Sequence, residues 1–292
     1  MKKTVSTKII FPPNQALGQN FLFDKNYLRK IVAYCPIDTN TIIIEIGSGY
    51  GNLTNFLAET DCQKVVGLEK DPKLYQWLVE NNQNNKIVYF QADALKINWP
   101  EFCSEYKGNF ARNAELSLII VGNLPYYLTN SLIVDLLFNY RLFSSLVFLV
   151  QKEVGQKWVA SPRQHSSQYS ALSVFINHLA ETKLALGVPA QIFIPVPLVD
   201  GALIVIKPRI SINMTKEKLV SFLHFLKNCF RFRRKTLLNN LYSFAGNYKK
   251  EWEKYFVENN YSAKIRPQNL APTEYWKLFL FWKILVNSSK KA

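Results

Sequence analysis

Seven short apolar runs, separated mostly by amphipathic stretches, constrain the first 207 residues of this chain more than any other feature. They are Ile42–Ile46, Val65–Leu68, Ile87–Gln91, Leu118–Val121, Leu146–Val150, Lys183–Val188 and Leu203–Ile206. Runs of this length, rich in β-branched residues and bounded by polar or glycine positions, read as buried strands. The intervening stretches carry helical spacing, as in Tyr27, Leu28, Ile31 and Val32, or Leu132, Leu136 and Leu137. Such alternation predicts an α/β fold with a mainly parallel seven-stranded sheet and helices on both faces. In sheets of this kind ligands bind beyond the carboxyl ends of the strands. Gly47, Glu69, Asp93 and Asn123 all fall at such ends.

Pro208 closes this region, and the pattern then changes. Leu219, Phe222, Leu223, Leu226 and Phe230 fall at helical spacing, and further helices are expected around Thr236–Phe244, Lys250–Glu258 and Thr273–Val286. The expected organisation is therefore an α/β domain over 1–208 and a small all-helical domain over 209–292. Glu101–Glu115 is polar and reads as a surface excursion. Charge follows the same division. Of a net +15, residues 210–292 supply 16 basic against 5 acidic side chains, whereas residues 1–209 supply 20 against 16. A basic appendage on a nearly balanced core points to a polyanion, nucleic acid first.

Several function classes drop away. Cys35, Cys62, Cys103 and Cys229 form no paired motif, which fits a reducing compartment and neither a disulfide framework nor a zinc site. His165, His178 and His224 make no metal-binding spacing. No metal is expected. The opening Met1-Lys2-Lys3 is not followed by an apolar core of signal length. Leu278–Val286 is far shorter than the ~20 residues of a spanning helix. The expectation is a cytoplasmic protein without a membrane partner, and a monomer.

Two motifs carry chemistry. Gly47, Gly49 and Gly51 lie between a strand and a helix, where glycine lets the backbone turn sharply and approach a ligand. A dinucleotide fingerprint needs a glycine where this chain has Asn52. Glu69 ends the next strand, 18 residues after Gly51, where an acid can hold ribose hydroxyls; its competing reading is a helix-start acid. Asp93 can accept from an adenine amine, against a turn or cap reading. The second motif is Asn123-Leu124-Pro125-Tyr126. The Asn123 amide oxygen and the Leu124 carbonyl can each accept one N–H of an exocyclic amine, leaving its lone pair aimed at a methyl donor. Pro125 fixes its own φ and biases Leu124 toward extended backbone. Tyr126 can stack on a base, a contact worth about 1–3 kcal/mol. By itself the tetrapeptide also reads as a strand-ending turn.

With these residues in view, the chain resembles the small-subunit ribosomal RNA adenine N6,N6-dimethyltransferases over nearly its whole length. Gly18-Gln19-Asn20-Phe21-Leu22, Glu45–Gly51, Glu69, Asp93-Ala94 and Asn123–Tyr126 match in order. Leu149–Glu153, Leu172–Val174, Phe193–Asp200 and Phe232–Leu237 follow. The resemblance implies a Rossmann-like class I methyltransferase domain and S-adenosylmethionine as donor. It implies donor contacts at Asn20, Leu22, Gly47, Gly49, Glu69, Asp93 and Asn123. It also implies two methyl groups on each of two adjacent adenosines near the 3′ end of small-subunit rRNA, within a partly assembled subunit. Phe193 would stack on the target base opposite Tyr126, with a core aromatic as the alternative. Arg231, Arg233, Arg234 and Lys235 would meet RNA phosphates, against a reading as a solvated face.

The chain departs from the family pattern at Tyr127, commonly asparagine, Gly201, commonly serine, Ser170, commonly glycine, and Ser48, commonly proline. Dimethylation is expected to persist with the bulkier Tyr127. Three other readings share parts of this evidence: the large-subunit enzymes that confer macrolide resistance, a non-catalytic RNA-binding assembly or transcription factor, and a DNA adenine methyltransferase. Phe232–Leu237, the basic C-terminal part and Leu124 favour the small-subunit enzyme.

Overall fold

The computed structural model describes residues 10–110, 116–125, 127–162 and 166–289. They form two compact units, one comprising the chain up to Gly155 with Lys183–Ile210, the other Gln156–Thr182 with the chain from Ser211. A single division at 208 leaves 156–182 in the α/β part; the contacts group that segment with the C-terminal helices instead.

In the first unit the elements are β1 (Phe21–Leu22), α1 (Lys25–Ala33), β2 (Thr41–Ile46), α2 (Asn52–Ala58), β3 (Lys64–Glu69), α3 (Pro72–Asn81), β4 (Ile87–Gln91), α4 (Trp99–Phe110), β5 (Ser117–Asn123), α5 (Thr129–Phe138) and β6 (Ser145–Gln151). Next come α6 (Lys152–Val159) and, in the second unit, α7 (Ala171–Leu179). The chain then runs through β7 (Ala180–Val188), β8 (Phe193–Ile194) and β9 (Gly201–Pro208), which return to the first unit. Seven strands form one sheet in the order β4-β3-β2-β5-β6-β9-β7. β4, β3, β2, β5 and β6 pair in parallel, while β9 is antiparallel to β6. Every residue of β2 is buried, as expected for a central strand covered on both faces.

The chain proceeds from β2 to β3 and β4 on one side, then crosses to β5 and β6 on the other. A crevice opens where the strand order reverses. Register aligns the strand ends there: Ile46 pairs with Leu68 and Gly122, Glu69 with Gln91, and Asn123 with Leu149. Helix caps fix where the chain leaves the sheet. The Asp24 carboxylate accepts the N–H groups of Asn26 and Tyr27 at the start of α1. Asp71 accepts from Lys73 at α3, with Pro72 in the first turn, where its missing N–H costs nothing.

Two elements differ from the sequence reading. The polar stretch expected as an excursion is helical through Phe110, and Trp99 and Cys103 at its start are buried; residues 111–115 lie outside the described residues. Antiparallel β1 and β8 place Leu22 opposite Phe193. Two residues per strand are too few for any periodicity to show in sequence.

The second unit is helical, with α8 (Lys216–Cys229), α9 (Leu237–Ala245), α10 (Lys249–Glu258) and α11 (Pro272–Ser289) joining α7. Ser170 opens α7 with a reciprocal capping box: its hydroxyl accepts the Ser173 N–H at 3.3 Å, and the Ser173 hydroxyl accepts the Ser170 N–H at 3.0 Å. That gives serine a role at a position where the family commonly has glycine. Phe222 of α8 packs against Phe175 and Phe279, with ring centroids 6.3 and 5.1 Å away.

Candidate active site

The strand ends of the first unit surround a cleft lined by the glycine loop, Asn20–Leu22, Glu69, Asp93, Asn123–Pro125 and Phe193. The fold therefore brings together most of the residues singled out in sequence. Gly47, Gly49 and Gly51 all have left-handed backbone, with φ of +77°, +57° and +73°. Gly49 needs its glycine twice over: an added Cβ would be strained at that φ and would stand 3.1 Å from the Phe21 ring.

Glu69 is buried and locks the loop. One carboxylate oxygen accepts the Gly49 N–H and the other the Asp71 N–H, both at 2.8 Å. Burial pushes its carboxyl above the ordinary carboxylate range, against the lowering effect of those amides. Each oxygen keeps a lone pair that can meet a ligand hydroxyl. Asp93 caps the turn after β4, accepting the Leu95 N–H at 3.1 Å, and its other oxygen pairs with Lys70 at 3.1 Å. Partial burial works to raise the Asp93 carboxyl, but Lys70 and the Leu95 amide prevail and hold it below its usual value.

Asn52, which opens α2, stood out in sequence only as a break in the glycine pattern, not as a site residue. It is buried, donates to the Leu22 carbonyl at 3.1 Å and keeps its amide oxygen without a partner among the described residues. It lines the cleft. A buried acceptor left open beside loop amides, two carboxylates and an apolar wall suits a ligand with an amino acid end and a nucleoside end. The only sequence clue was its displacement of the third glycine of a dinucleotide loop.

At the end of β5 the Asn123 amide nitrogen donates to the Asn20 carbonyl at 2.8 Å. A carbonyl can only accept, so this bond fixes which end of the amide is which and leaves the oxygen of this cleft-lining residue as an acceptor. The Leu124 N–H is held by the Leu149 carbonyl at 3.0 Å, while the Leu124 carbonyl has no partner among the described residues. The Pro125 carbonyl accepts the Leu128 N–H at 3.2 Å and the Thr129 hydroxyl at 3.0 Å, starting α5 directly behind the site. Tyr126 lies outside the described residues. Phe193 is 4% exposed, packed in the same apolar cluster as Leu22 and Leu149, and also lines the cleft.

The basic residues belong to the second unit. Arg231, Arg234 and Lys235 are exposed on the turn between α8 and α9, whereas Arg233 is half-buried and donates to the carbonyls of Ser166 and Ser167 at 3.2 and 2.8 Å. Lys235 and Arg231 flank the Phe232 ring at 4.8 and 5.2 Å. The turn is pinned by Asn240 of α9, a buried amide that accepts the Phe232 N–H at 2.8 Å and donates to the carbonyls of Phe232 and Thr236. Among the described residues no cluster of His, Cys, Asp or Glu is placed to hold a metal ion, and no helix is long and apolar enough to cross a membrane.

The fold and cleft define a Rossmann-like class I methyltransferase carrying a helical unit. A Plasmodium falciparum dimethyladenosine transferase superposes with a TM-score of 0.70 at 22% identity, covering 90% of this chain and 97% of that one. A 23S rRNA methyltransferase, ErmE, superposes at 0.64 with 22% identity, covering 89% and 98%. The chain belongs to the ribosomal RNA adenine dimethylase family, whose model matches residues 10–276. It is 34% identical over 274 residues to a Streptococcus gordonii protein named ribosomal RNA small subunit methyltransferase A, covering 92% of this chain and 91% of that one. A protein of the same name from Mycoplasmopsis pulmonis is 35% identical over 265 residues, covering 90% and 96%.

Proposed function

We infer that this chain transfers methyl groups from S-adenosylmethionine to N6 of two adjacent adenosines near the 3′ end of small-subunit rRNA, giving N6,N6-dimethyladenosine. The carrying observation is the cleft-lining Asn123 amide, whose nitrogen is taken by the Asn20 carbonyl and whose oxygen is left as an acceptor next to the open Leu124 carbonyl. Two neighbouring acceptors match the two N–H groups of an exocyclic amine, which an unprotonated ring nitrogen or a carbon does not offer. The donor's sulfonium supplies an activated methyl carbon. Asn123 and Leu124 hold the N6 hydrogens, which draws the nitrogen lone pair out of conjugation and toward that carbon. The new C–N bond forms as the C–S bond breaks, and the displaced N6 proton leaves afterwards to solvent. No strong base is required, so positioning supplies most of the acceleration. Glu69 would hold the donor ribose, Asp93 its adenine amine, and Asn20, Leu22, Gly47 and Gly49 the remaining contacts. Tyr126 and Phe193 would face the target base.

The protein would act as a cytoplasmic monomer on a partly assembled small subunit, with Arg231, Arg233, Arg234 and Lys235 toward the RNA backbone. Similarity in fold extends to a large-subunit enzyme as well, but relatives at 34–36% identity carry the small-subunit name. A non-catalytic assembly factor needs no open acceptor pair at the end of β5. Asn123→Ala separates that reading. Turnover is expected to fall by about 10² or more, as when one oriented polar contact is removed from a reacting centre, with subunit affinity kept. Unchanged turnover would sink the assignment.

A further inference from the structure

Tyr127 is 53% exposed and lines the mouth of the cleft, three residues past Leu124, with no ring partner among the described aromatics. Few large aromatic side chains in this chain are so open. One edge lies beside Gly18, where an added Cβ would stand 3.7 Å from the Tyr127 Cδ1. Lys70 Nζ sits 5.9 Å from the ring centroid and pairs with Asp93 at 3.1 Å. An open ring with a cation beside it, on the rim of a cleft, is the arrangement by which proteins stack a base and attract its phosphate.

We propose that Tyr127, with Lys70 beside it, is a stacking platform for the nucleotide next to the target adenosine. The inference rests on the function proposed above. An adenosine drawn into the cleft leaves its stack, so its neighbour loses a stacking partner on one face. That neighbour stays within one nucleotide step of the cleft mouth, where the Tyr127 ring offers a replacement surface. The platform would serve each of two adjacent adenosines in turn while the other reacts. It also gives the tyrosine a task at a position where the family commonly carries asparagine, whose side chain has no ring to offer.

The test uses subunits reconstituted from transcribed small-subunit rRNA with guanosine or uridine at the neighbouring position, so that one acceptor adenosine remains. The full-length chain should favour the guanosine neighbour in kcat/KM by about tenfold, since purines stack more strongly. Tyr127→Ala should treat both substrates alike, and Tyr127→Phe, which keeps the ring, should restore the preference. Donor affinity and melting midpoint of Tyr127→Ala should match the parent. A Tyr127→Ala chain that retains the preference, or that slows both substrates equally, overturns the inference alone. No transfer by the unaltered chain to subunits carrying both adenosines overturns the proposed function and the inference with it.

Discussion

Glu45, one residue before the end of β2, is buried, with the Thr54 hydroxyl donating to its carboxylate. Burial pushes its carboxyl up to about 8. At neutral pH the folded protein thus holds a proton there that the unfolded chain releases above about pH 4.3. Stability from this proton is fully present below that range and drains away as pH rises through the folded value. Glu45→Gln keeps the shape and removes the titration. Between about pH 5 and about pH 9 the variant's melting midpoint should fall a few degrees less than the parent's; parallel curves would contradict the assignment. At this scale the sequence was informative where a residue type had one task. Asn123 and the glycines could be singled out because their spacing to strands is visible. The Asn52 acceptor and the Asn20–Asn123 bond were not visible, because both depend on which side chain a distant carbonyl meets.

All seven apolar runs form the sheet; the central strands, buried on both faces, are apolar throughout and show by run length, while the edge strands β4 and β7 are partly exposed. The ladder of β1 and β8 escaped because it is held by position rather than pattern. The helix at Trp99–Phe110 escaped because its polar composition hid the few buried contacts of Trp99 and Cys103. The basic turn shows the same limit. Arg231–Lys235 is conspicuous in sequence, yet what shapes it is Asn240, the buried polar side chain of α9. Asn240→Ala leaves the Phe232 N–H without its partner, while the Phe232 and Thr236 carbonyls keep the backbone N–H groups of Lys235 and residue 240; the loss should cost about 1–3 kcal/mol in the helical unit. We expect weaker binding to small subunits with donor affinity unchanged. Full subunit affinity in a variant destabilised to that extent would show that the turn's shape does not matter for binding.

Across the whole molecule, charge and chemistry are segregated: the cleft lies in the first unit, and the residues from 210 onward hold 16 basic side chains against 5 acidic. Phosphate contacts make affinity fall with salt, by about 0.9 in the log–log slope for each one on a duplex. Arg234→Ala and Lys235→Ala should therefore each make the slope shallower by about 1. Arg233→Ala should cost more stability than its neighbours, because its guanidinium also ties the Ser166 and Ser167 carbonyls. Unaltered slopes would remove the turn from the RNA interface. Substrate and product are tested together by one measurement: transfer of label from S-adenosylmethionine to undermethylated small and large subunits, followed by digestion and nucleoside analysis. We expect N6,N6-dimethyladenosine in small-subunit RNA and no label in large-subunit RNA. Label in the large subunit, or label that stops at the monomethyl nucleoside, contradicts that expectation.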